Sequence, residues 1–537
     1  MATKPKVFVR DATGLVRELN WLDGTIMNLA YFNIACGSLL IFGLGSYLFP
    51  GSNMAISVGV IGFLVDLPIV IAYSMFAASM PRSGGDYIFI SRALLPAIGF
   101  ATSLVFFIFL SIFSIGFNAY LATALGVGPS LAAMASLPGN QGLLALAQSL
   151  GQPTNAMGIG LIFIVITFVL LLIPTSTLHK VMVVLFAIAF LGYPVLYIIV
   201  LATSSNAQFV SAFNTYAAQA GLNTSYTSII ESAKQAGANI IPPTLAGSVA
   251  ALPIIYANLA FPQSSTYVAG ETKRAKIQTP LSLVLGLLII CVSTAIMGYF
   301  TFSTFGYDFI AATAFYGLSG VSGYPLPSAP YTSYFIAILL PNPAFNWFML
   351  LSLEAWILLL MITFGLMATR ALFAWSFDRL VPTAFADVSE RFHTPVKATI
   401  LVIIASVPFV ASTSYAFILT DINSVVAWTS GYLIVMISAI LYPFLNKDLF
   451  EQSPPLVKKK IGGLPVISVI GSIGAIALLV IFYYLLINPS VSGATTIGIS
   501  IVVLTYLVGI VIYYGVRAWR KSQGIELDLA FKQIPPE

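Results

Sequence analysis

About a dozen apolar runs, each long enough to cross a lipid bilayer, constrain this chain more than any other feature. An α-helix needs about 20 consecutive apolar residues to cross a hydrocarbon layer of roughly 30 Å. Such runs define twelve predicted spans, numbered in chain order, near residues 25–48, 54–79, 95–125, 157–175, 181–202, 247–267, 281–304, 345–375, 397–412, 422–444, 463–487 and 495–516. Helices satisfy their own backbone hydrogen bonds inside lipid, so the sequence predicts an all-α integral membrane protein with 12 transmembrane helices.

The distribution of charge predicts the orientation of these spans. Only 8% of the 537 residues are charged, against about 25% in a soluble domain. Of the 23 Lys and Arg residues, all except Lys234 fall on one side of the predicted spans. Because Lys and Arg are retained in the cytoplasm, both ends of the chain are predicted to be cytoplasmic in a multi-pass protein of the cell membrane. The membrane topology therefore accounts for the net charge of +5. The sequence shows no cluster of basic residues with stacking aromatics, so it does not indicate a nucleic-acid partner.

Enzyme motifs are missing from the sequence. The two histidines, His179 and His393, cannot supply a HExxH zinc site or a Ser-His-Asp set within the membrane. No GxxxxGK[ST] loop is present to bind nucleotide phosphates. We therefore expect no catalytic residues, no metal site and no cofactor, and we expect any energy for active transport to come from an ion gradient.

The sixth predicted span is interrupted by polar residues in the stretch "LPIIYANLAFPQSSTYVAGETK". Pro262 has no N–H to donate, and its ring clashes with the carbonyl of Asn258, so the helix should open between about Tyr256 and Ser264. An interrupted helix survives in hydrocarbon only where it is buried in protein or lines a polar cavity. The interruption therefore indicates a binding site, and a simple proline kink is the alternative.

The first predicted span contains a second weak point in "NLAYFNIACGSLLIFGLG", where Asn33, Gly37 and Ser38 lie among small residues. Spans 1 and 6 are five apart and run in opposite directions. This relation is typical of an inverted repeat whose discontinuous helices meet near the bilayer midplane. Open helix ends there suit the carboxylate and the ammonium of a small zwitterion. The alternative for span 1 is that small residues only permit close helix packing.

Three cytoplasmic segments resemble those of one transporter family. The stretch "MPRSGGDYIFISRALLPAIGF" follows span 2, "GETKRAKIQTP" follows span 6, and "ATRALFAWSFDRLVPTAFADVSERFHTPVKA" follows span 8. In order and spacing they resemble the amino acid-polyamine-organocation (APC) family over most of residues 15–445. The resemblance implies a leucine-transporter-type fold, with a 5+5 inverted repeat and two peripheral helices, and secondary active transport of an amino acid by alternating access.

The resulting domain organisation has seven parts. They are a cytoplasmic amino-terminal segment (1–22), the first inverted repeat with spans 1–5 (23–202), an extracellular loop (203–246), the second inverted repeat with spans 6–10 (247–445), a cytoplasmic loop (446–462), spans 11 and 12 (463–516) and a cytoplasmic tail (517–537).

The resemblance places the substrate at the interruptions of spans 1 and 6. The family's Gly-Ser-Gly of span 1 is not present as such, because one alignment places it at 34–36 and another at 38–40. In span 6 the family's glycine falls on Phe261. The predicted substrate-binding residues are Asn33, Ile34, Ala35, Cys36, Gly37, Ser38, Tyr256, Asn258, Ala260, Phe261, Gln263 and Ser264.

Two carboxylates fall near mid-depth of predicted spans, Asp66 in span 2 and Glu354 in span 8. An ionised acid at that depth costs at least ~2.5 kcal/mol, so each should face the protein interior, where it can serve as a proton-coupling group. The alternative is a neutral acid satisfied by a neighbouring helix. Span 5 carries no Lys or Arg at residues 181–202, where some members of the family have a built-in cation. For sodium coupling, the hydroxyl of Thr363 on span 8 is a candidate ligand.

We expect the substrate to be a neutral amino acid, apolar or aromatic, because no Lys or Arg lies near the interruptions to pair with an acidic side chain. The expected partners are this amino acid, a coupling proton and the lipid bilayer. One alternative is sodium-coupled or exchange transport of cationic amino acids or polyamines. Another is a channel or a non-transporting scaffold. A carrier built from six plus six spans would have a long loop after span 6. Here that loop consists only of residues 268–280.

Overall fold

The computed structural model describes residues 17–135, 140, 142–258, 263–319, 326, 330–389, 394–415, 424–489 and 494–532. Within these residues the protein is helical apart from one small hairpin, in which strand Lys460–Ile461 pairs antiparallel with strand Leu464–Pro465. Eleven helices are long and apolar enough to cross a membrane among the residues described. An all-helical membrane protein is thereby confirmed.

The eleven helices coincide with all predicted spans except the sixth. They are span 1 (Trp21–Leu48), span 2 (Met54–Ser79), span 3 (Pro96–Met134), span 4 (Pro153–Leu172), span 5 (Thr175–Ala202), span 7 (Ala275–Phe305), span 8 (Pro343–Phe377), span 9 (Val396–Ser414), span 10 (Ser424–Leu445), span 11 (Val466–Ile487) and span 12 (Thr496–Ser522). The shorter helices are Asp86–Ala93, Gly142–Leu150, Asn206–Gln219, Tyr226–Gln235, Tyr307–Ser319, Thr332–Leu339, the 3₁₀ turn Thr383–Ala386, Lys447–Glu451, Pro455–Lys458 and Leu527–Ala530.

Predicted span 6 does not form one continuous helix. It consists of helix Leu245–Ala250, helix Leu252–Asn258 and, after residues 259–262, the 3₁₀ segment Ser264–Glu271. Residues 259–262 lie outside the described part of the chain. The predicted loop 203–246, by contrast, contains two helices that its polar composition did not indicate.

Span 1 is divided by a single residue. Asn33 has φ 49° and ψ 76°, so it ends helix Trp21–Phe32 and begins helix Ile34–Leu48. Asparagine tolerates the left-handed conformation because its short polar side chain bonds locally. The interruption therefore lies at Asn33, at the amino end of the predicted segment, and Gly37 and Ser38 lie inside the second helix.

The two halves of span 1 pair with the two parts of predicted span 6. Helix Trp21–Phe32 packs on segment Ser264–Glu271, and helix Ile34–Leu48 packs on helix Leu252–Asn258. Backbone contacts join both ends of this assembly. Leu19 bridges Thr272 at one end, and Ser52 bridges Thr244 at the other. The two interrupted spans are therefore packed side by side between these two bridges.

The basic residues collect at one face of the protein, which we call the basic face. Arg17, Arg82 and Arg274 line a single cavity there. At the same face the carboxylate of Glu271 accepts two hydrogen bonds from Arg370, at 2.8 and 2.9 Å, and both side chains are buried. This pair ties the end of predicted span 6 to span 8. The ion pair of Lys234 with Asp308 belongs to the loop helices that join the opposite ends of the spans.

We expect Glu271→Gln to destabilise the protein by roughly 3–5 kcal/mol, because it leaves the buried charge of Arg370 without its partner. The matched control is Asp308→Asn, whose partner is Lys234. Those two side chains are 49% and 47% exposed, so the loss should be at most ~1 kcal/mol. Thermal unfolding of the purified variants in one detergent measures both effects. Equal losses would contradict a structural role for the buried pair.

Candidate functional site

The interruption of span 1 presents backbone donors inside the protein. Asn33 Oδ1 accepts from the N–H of Cys36 at 3.1 Å, and the carbonyl of Asn33 accepts from Gly37 at 3.0 Å. The N–H groups of Ile34 and Ala35, in the first turn of the second helix, have no acceptor within that helix. Both residues are buried. This helix start is therefore suited to a carboxylate.

The side-chain amide of Asn33 adds to these donors. Its Nδ2 atom is buried and has no hydrogen-bond partner among the residues described. Ser38, in contrast, lies next to span 7, where its hydroxyl approaches the sulfur of Met297 at 3.8 Å. Within the described residues Asn33 therefore has a free donor that a ligand could accept from, whereas the hydroxyl of Ser38 is already next to Met297.

Predicted span 6 contributes two further polar groups without partners. The hydroxyl of Tyr256 and both amide atoms of Gln263 are buried and unbonded within the described part of the chain. Buried polar groups without partners are uncommon in native proteins. Two predicted site residues, Ala260 and Phe261, lie outside the described residues, as does the side chain of Asn258. The flanks of the second interruption thus carry capacity for a polar ligand.

Asn28 holds the two interrupted segments together and was not among the predicted site residues. Its Oδ1 accepts from the hydroxyl of Ser264 and from the N–H of Ser265, both at 3.0 Å. Its Nδ2 donates to the hydroxyl of Ser265 at 3.1 Å and to the carbonyl of Ser282 at 3.0 Å. The Ser264 hydroxyl is therefore engaged in the fold. The sequence offered one indication of this role, because Asn28 is a second asparagine in span 1, five residues before Asn33.

Glu354 of span 8 lies beside spans 1 and 3. Both carboxylate oxygens are buried and have no hydrogen-bond partner in the described residues. A Cβ atom added to Gly126 would lie 1.9 Å from Oε1, so the glycine makes room for this carboxylate. Gly126 belongs to a π-helical stretch, Ala122–Val127. Glu354 also lies near Cys36, in the first turn after the span 1 interruption.

Asp66 occupies a separate position on span 2. It is 3% exposed, and its Oδ1 has no partner among described atoms. It lies near Tyr256 of predicted span 6 and Cys291 of span 7. The structure therefore associates Glu354 with the span 1 interruption and Asp66 with the residues that precede the span 6 interruption.

A hydrogen-bonded cluster around Asp86 joins span 2 to segment Ser264–Glu271. The carboxylate of Asp86 accepts from Tyr73 of span 2 and, at 2.8 Å, from Tyr267 of segment Ser264–Glu271. The preceding Gly85 has φ +49°, and a Cβ atom there would lie 2.8 Å from Tyr267. The glycine therefore permits the close approach. Burial raises the pKa of Asp86 to about 6, although the hydrogen bonds from the tyrosines oppose this rise.

A comparison with known protein families gives one match. A model of the family described as amino acid permease matches residues 26–512. The match extends over most of the chain. It confirms the resemblance of the three segments that follow spans 2, 6 and 8. No curated protein matches the chain.

We expect the stability of the protein to fall as pH rises from about 4 to about 6 by an amount that Asp86→Asn removes. The pKa of Asp86 is about 6 in the folded protein and about 4 in an unfolded chain. Ionisation across this interval therefore opposes folding, by an amount on the order of 2–3 kcal/mol. Melting temperatures of both proteins between pH 4 and pH 8 provide the measurement. A variant whose pH profile parallels the parent's would contradict this role for Asp86.

Proposed function

Because the chain belongs to the amino acid permease family, we propose that it is a secondary active transporter, coupled to protons, that carries an amino acid across the cell membrane by alternating access. The family consists of membrane transporters and not of enzymes. It implies a leucine-transporter-type fold.

The observation that carries this proposal is the pair of interruptions at Asn33 and at Gln263, where the 3₁₀ segment Ser264–Glu271 begins. A scaffold gains nothing from two discontinuous helices packed on each other, because each one forgoes backbone hydrogen bonds in hydrocarbon. A carrier uses them to bind a substrate between its repeats. This reasoning favours a carrier over the scaffold.

The helix packing supports a 5+5 inverted repeat with predicted span 6 as a twelfth crossing. Such a repeat relates span 2 to span 7 and span 4 to span 9. Span 2 packs on span 7, and span 4 packs on span 9. An even number of crossings places both ends of the chain on one side, and the positive-inside rule makes this side cytoplasmic. The basic face is then the cytoplasmic face.

The substrate lies between the interruptions in this proposal. Its carboxylate accepts hydrogen bonds from the N–H groups of Ile34 and Ala35 and from the amide of Asn33. Its ammonium lies near the carbonyl ends of helix Trp21–Phe32, where the last carbonyls of a helix lack intrahelical donors. Gln263 and Tyr256 bind it from the other side. Cys36, in the first turn after Asn33, lines the same space.

Proton coupling is assigned to Glu354, with Asp66 as the second candidate. Support for Glu354 comes from its unpartnered carboxylate and its position beside Cys36, close to the proposed carboxylate site. A proton on Glu354 removes a negative charge from the neighbourhood of an anionic group. Binding of the substrate carboxylate and binding of the proton therefore favour each other, which is the requirement for symport.

A neutral amino acid, apolar or aromatic, remains our first choice of substrate. The candidate site offers no Lys or Arg side chain among its described residues, so an acidic side chain would have no counterion. The unpartnered carboxylate of Glu354 also supports a second candidate, a cationic amino acid or a polyamine held by that group in its ionised form.

We expect the purified protein in liposomes to take up a neutral apolar or aromatic L-amino acid with saturable, stereoselective kinetics. Gln263→Leu should weaken this uptake roughly 10- to 100-fold in kcat/KM, because a hydrogen bond to a charged group contributes about 1.5–3 kcal/mol. A panel of competing neutral and cationic amino acids and a polyamine identifies the class. Flux that does not saturate would indicate a channel, and no flux with any compound would contradict the proposal.

We expect Glu354→Gln to abolish accumulation driven by an inward proton gradient while exchange of internal for external substrate continues. The amide retains the size of the side chain but carries no titrating proton. Glu231→Gln, on an outer loop helix, is the matched control, and Asp66→Asn tests the second candidate. Unchanged accumulation in the Glu354 variant would remove this residue from the coupling mechanism. Accumulation driven by sodium would favour the sodium alternative.

A further inference from the structure

The basic face contains a cavity that the proposed transport cycle does not use. Its volume is about 830 Å³. Five separate parts of the chain meet around it: the segment before span 1, the loop after span 2, the start of span 7, the helix after span 10 and the end of the described tail. Its lining residues are Arg17, Ser79, Pro81, Arg82, Arg274, Ala275, Lys276, Ile277, Leu449, Gln452 and Lys532.

The lining of the cavity has one sign of charge. It includes three arginines and two lysines, and no described lining residue is acidic. Guanidinium groups bind phosphate oxygens in pairs, and ammonium groups add compact positive charges. Concentrated positive charge in a concave site attracts anions. The lining therefore favours a ligand with one or more phosphate groups.

The start of span 7 adds backbone donors to this positive charge. The helix runs for 31 residues from Ala275, and no side chain caps its amino end. The N–H groups of Ala275 and Lys276 therefore have no acceptor within the helix. The positive end of its dipole is directed toward the cavity wall that these residues form.

An apolar stripe leads away from the cavity along span 7. Ile277 lines the cavity and is 68% exposed. Leu281, Val284 and Leu288 follow at helical spacing and are also exposed. In a membrane protein, an exposed apolar stripe on a spanning helix faces lipid. A molecule with an anionic head and acyl chains fits both features, whereas a free phosphate uses only the first.

We propose that this cavity binds the phosphate-bearing headgroup of an anionic lipid, whose acyl chains lie along the stripe from Ile277 to Leu288. A basic pocket at the cytoplasmic ends of spanning helices suits such headgroups. The bound lipid joins the loop after span 2 to the start of span 7. Lipid occupancy therefore stabilises the packing of these segments at the basic face.

The test uses the full-length protein in a neutral detergent and titrates it with short-chain phosphatidylglycerol, with short-chain phosphatidylcholine and with inorganic phosphate. Native mass spectrometry counts bound lipid, and the melting temperature reports stabilisation. We expect phosphatidylglycerol to bind and to raise the melting temperature at concentrations where the other two compounds have little effect. Comparable effects of inorganic phosphate would overturn the lipid assignment in favour of a free anion.

The variant Arg274→Gln/Lys276→Gln localises the site. Each removed charge should weaken phosphatidylglycerol binding roughly fivefold, which corresponds to ~1 kcal/mol per basic residue near an anionic lipid. The matched control is Lys459→Gln/Lys460→Gln, which removes two exposed basic residues away from the cavity. Melting temperatures without lipid show that both variants are folded. Equal weakening in the two variants, or none in either, would overturn the proposal.

Discussion

The structure depends on how it satisfies backbone groups where helices are interrupted inside the membrane. Hydrocarbon supplies no hydrogen-bond partners, so each interruption needs protein groups or a bound ligand. In span 5, protein groups satisfy the interrupted backbone. Tyr193 departs from helical geometry, and span 8 binds the freed carbonyls, since Trp356 Nε1 donates to Tyr193 and Ala189 at 2.9 and 3.0 Å. Ser352 also donates to Ala189, at 2.7 Å.

The interruptions of spans 1 and 6 differ from that of span 5. Around them the amide of Asn33, the hydroxyl of Tyr256, the amide of Gln263 and the carboxylate of Glu354 are buried without partners among the described residues. The freed backbone groups of span 5 thus bind to span 8. The interruptions of spans 1 and 6 instead retain donors and acceptors without partners among the described residues. Asn28 and the backbone bridges at both ends fix the geometry of that pair. The unused groups support the proposal that a small polar molecule binds between the two interruptions.

The sequence predicted the long helices well because each is a continuous apolar run whose length is set by the bilayer. It also predicted that span 6 is interrupted, and the segment Ser264–Glu271 is indeed a 3₁₀ helix separate from helix Leu252–Asn258. The sequence was less informative where a local feature depends on a contact with a residue far away in the chain. The role of Asn28 depends on Ser264 and Ser265, more than 200 residues away, and the interruption at Tyr193 depends on span 8. In span 1 the sequence predicted a weak segment from Asn33 to Ser38, and the helix is interrupted at the left-handed Asn33.

The central claim is that the two interruptions together form the binding site for an amino acid. A density map of the protein with its transported amino acid, at a resolution that shows side chains, tests it most directly. The account predicts ligand density with its carboxylate at the N–H groups of Ile34 and Ala35 and with Gln263 within hydrogen-bond distance. Density for the ligand elsewhere, or spans 1 and 6 running as unbroken helices with no space between them, would contradict the account.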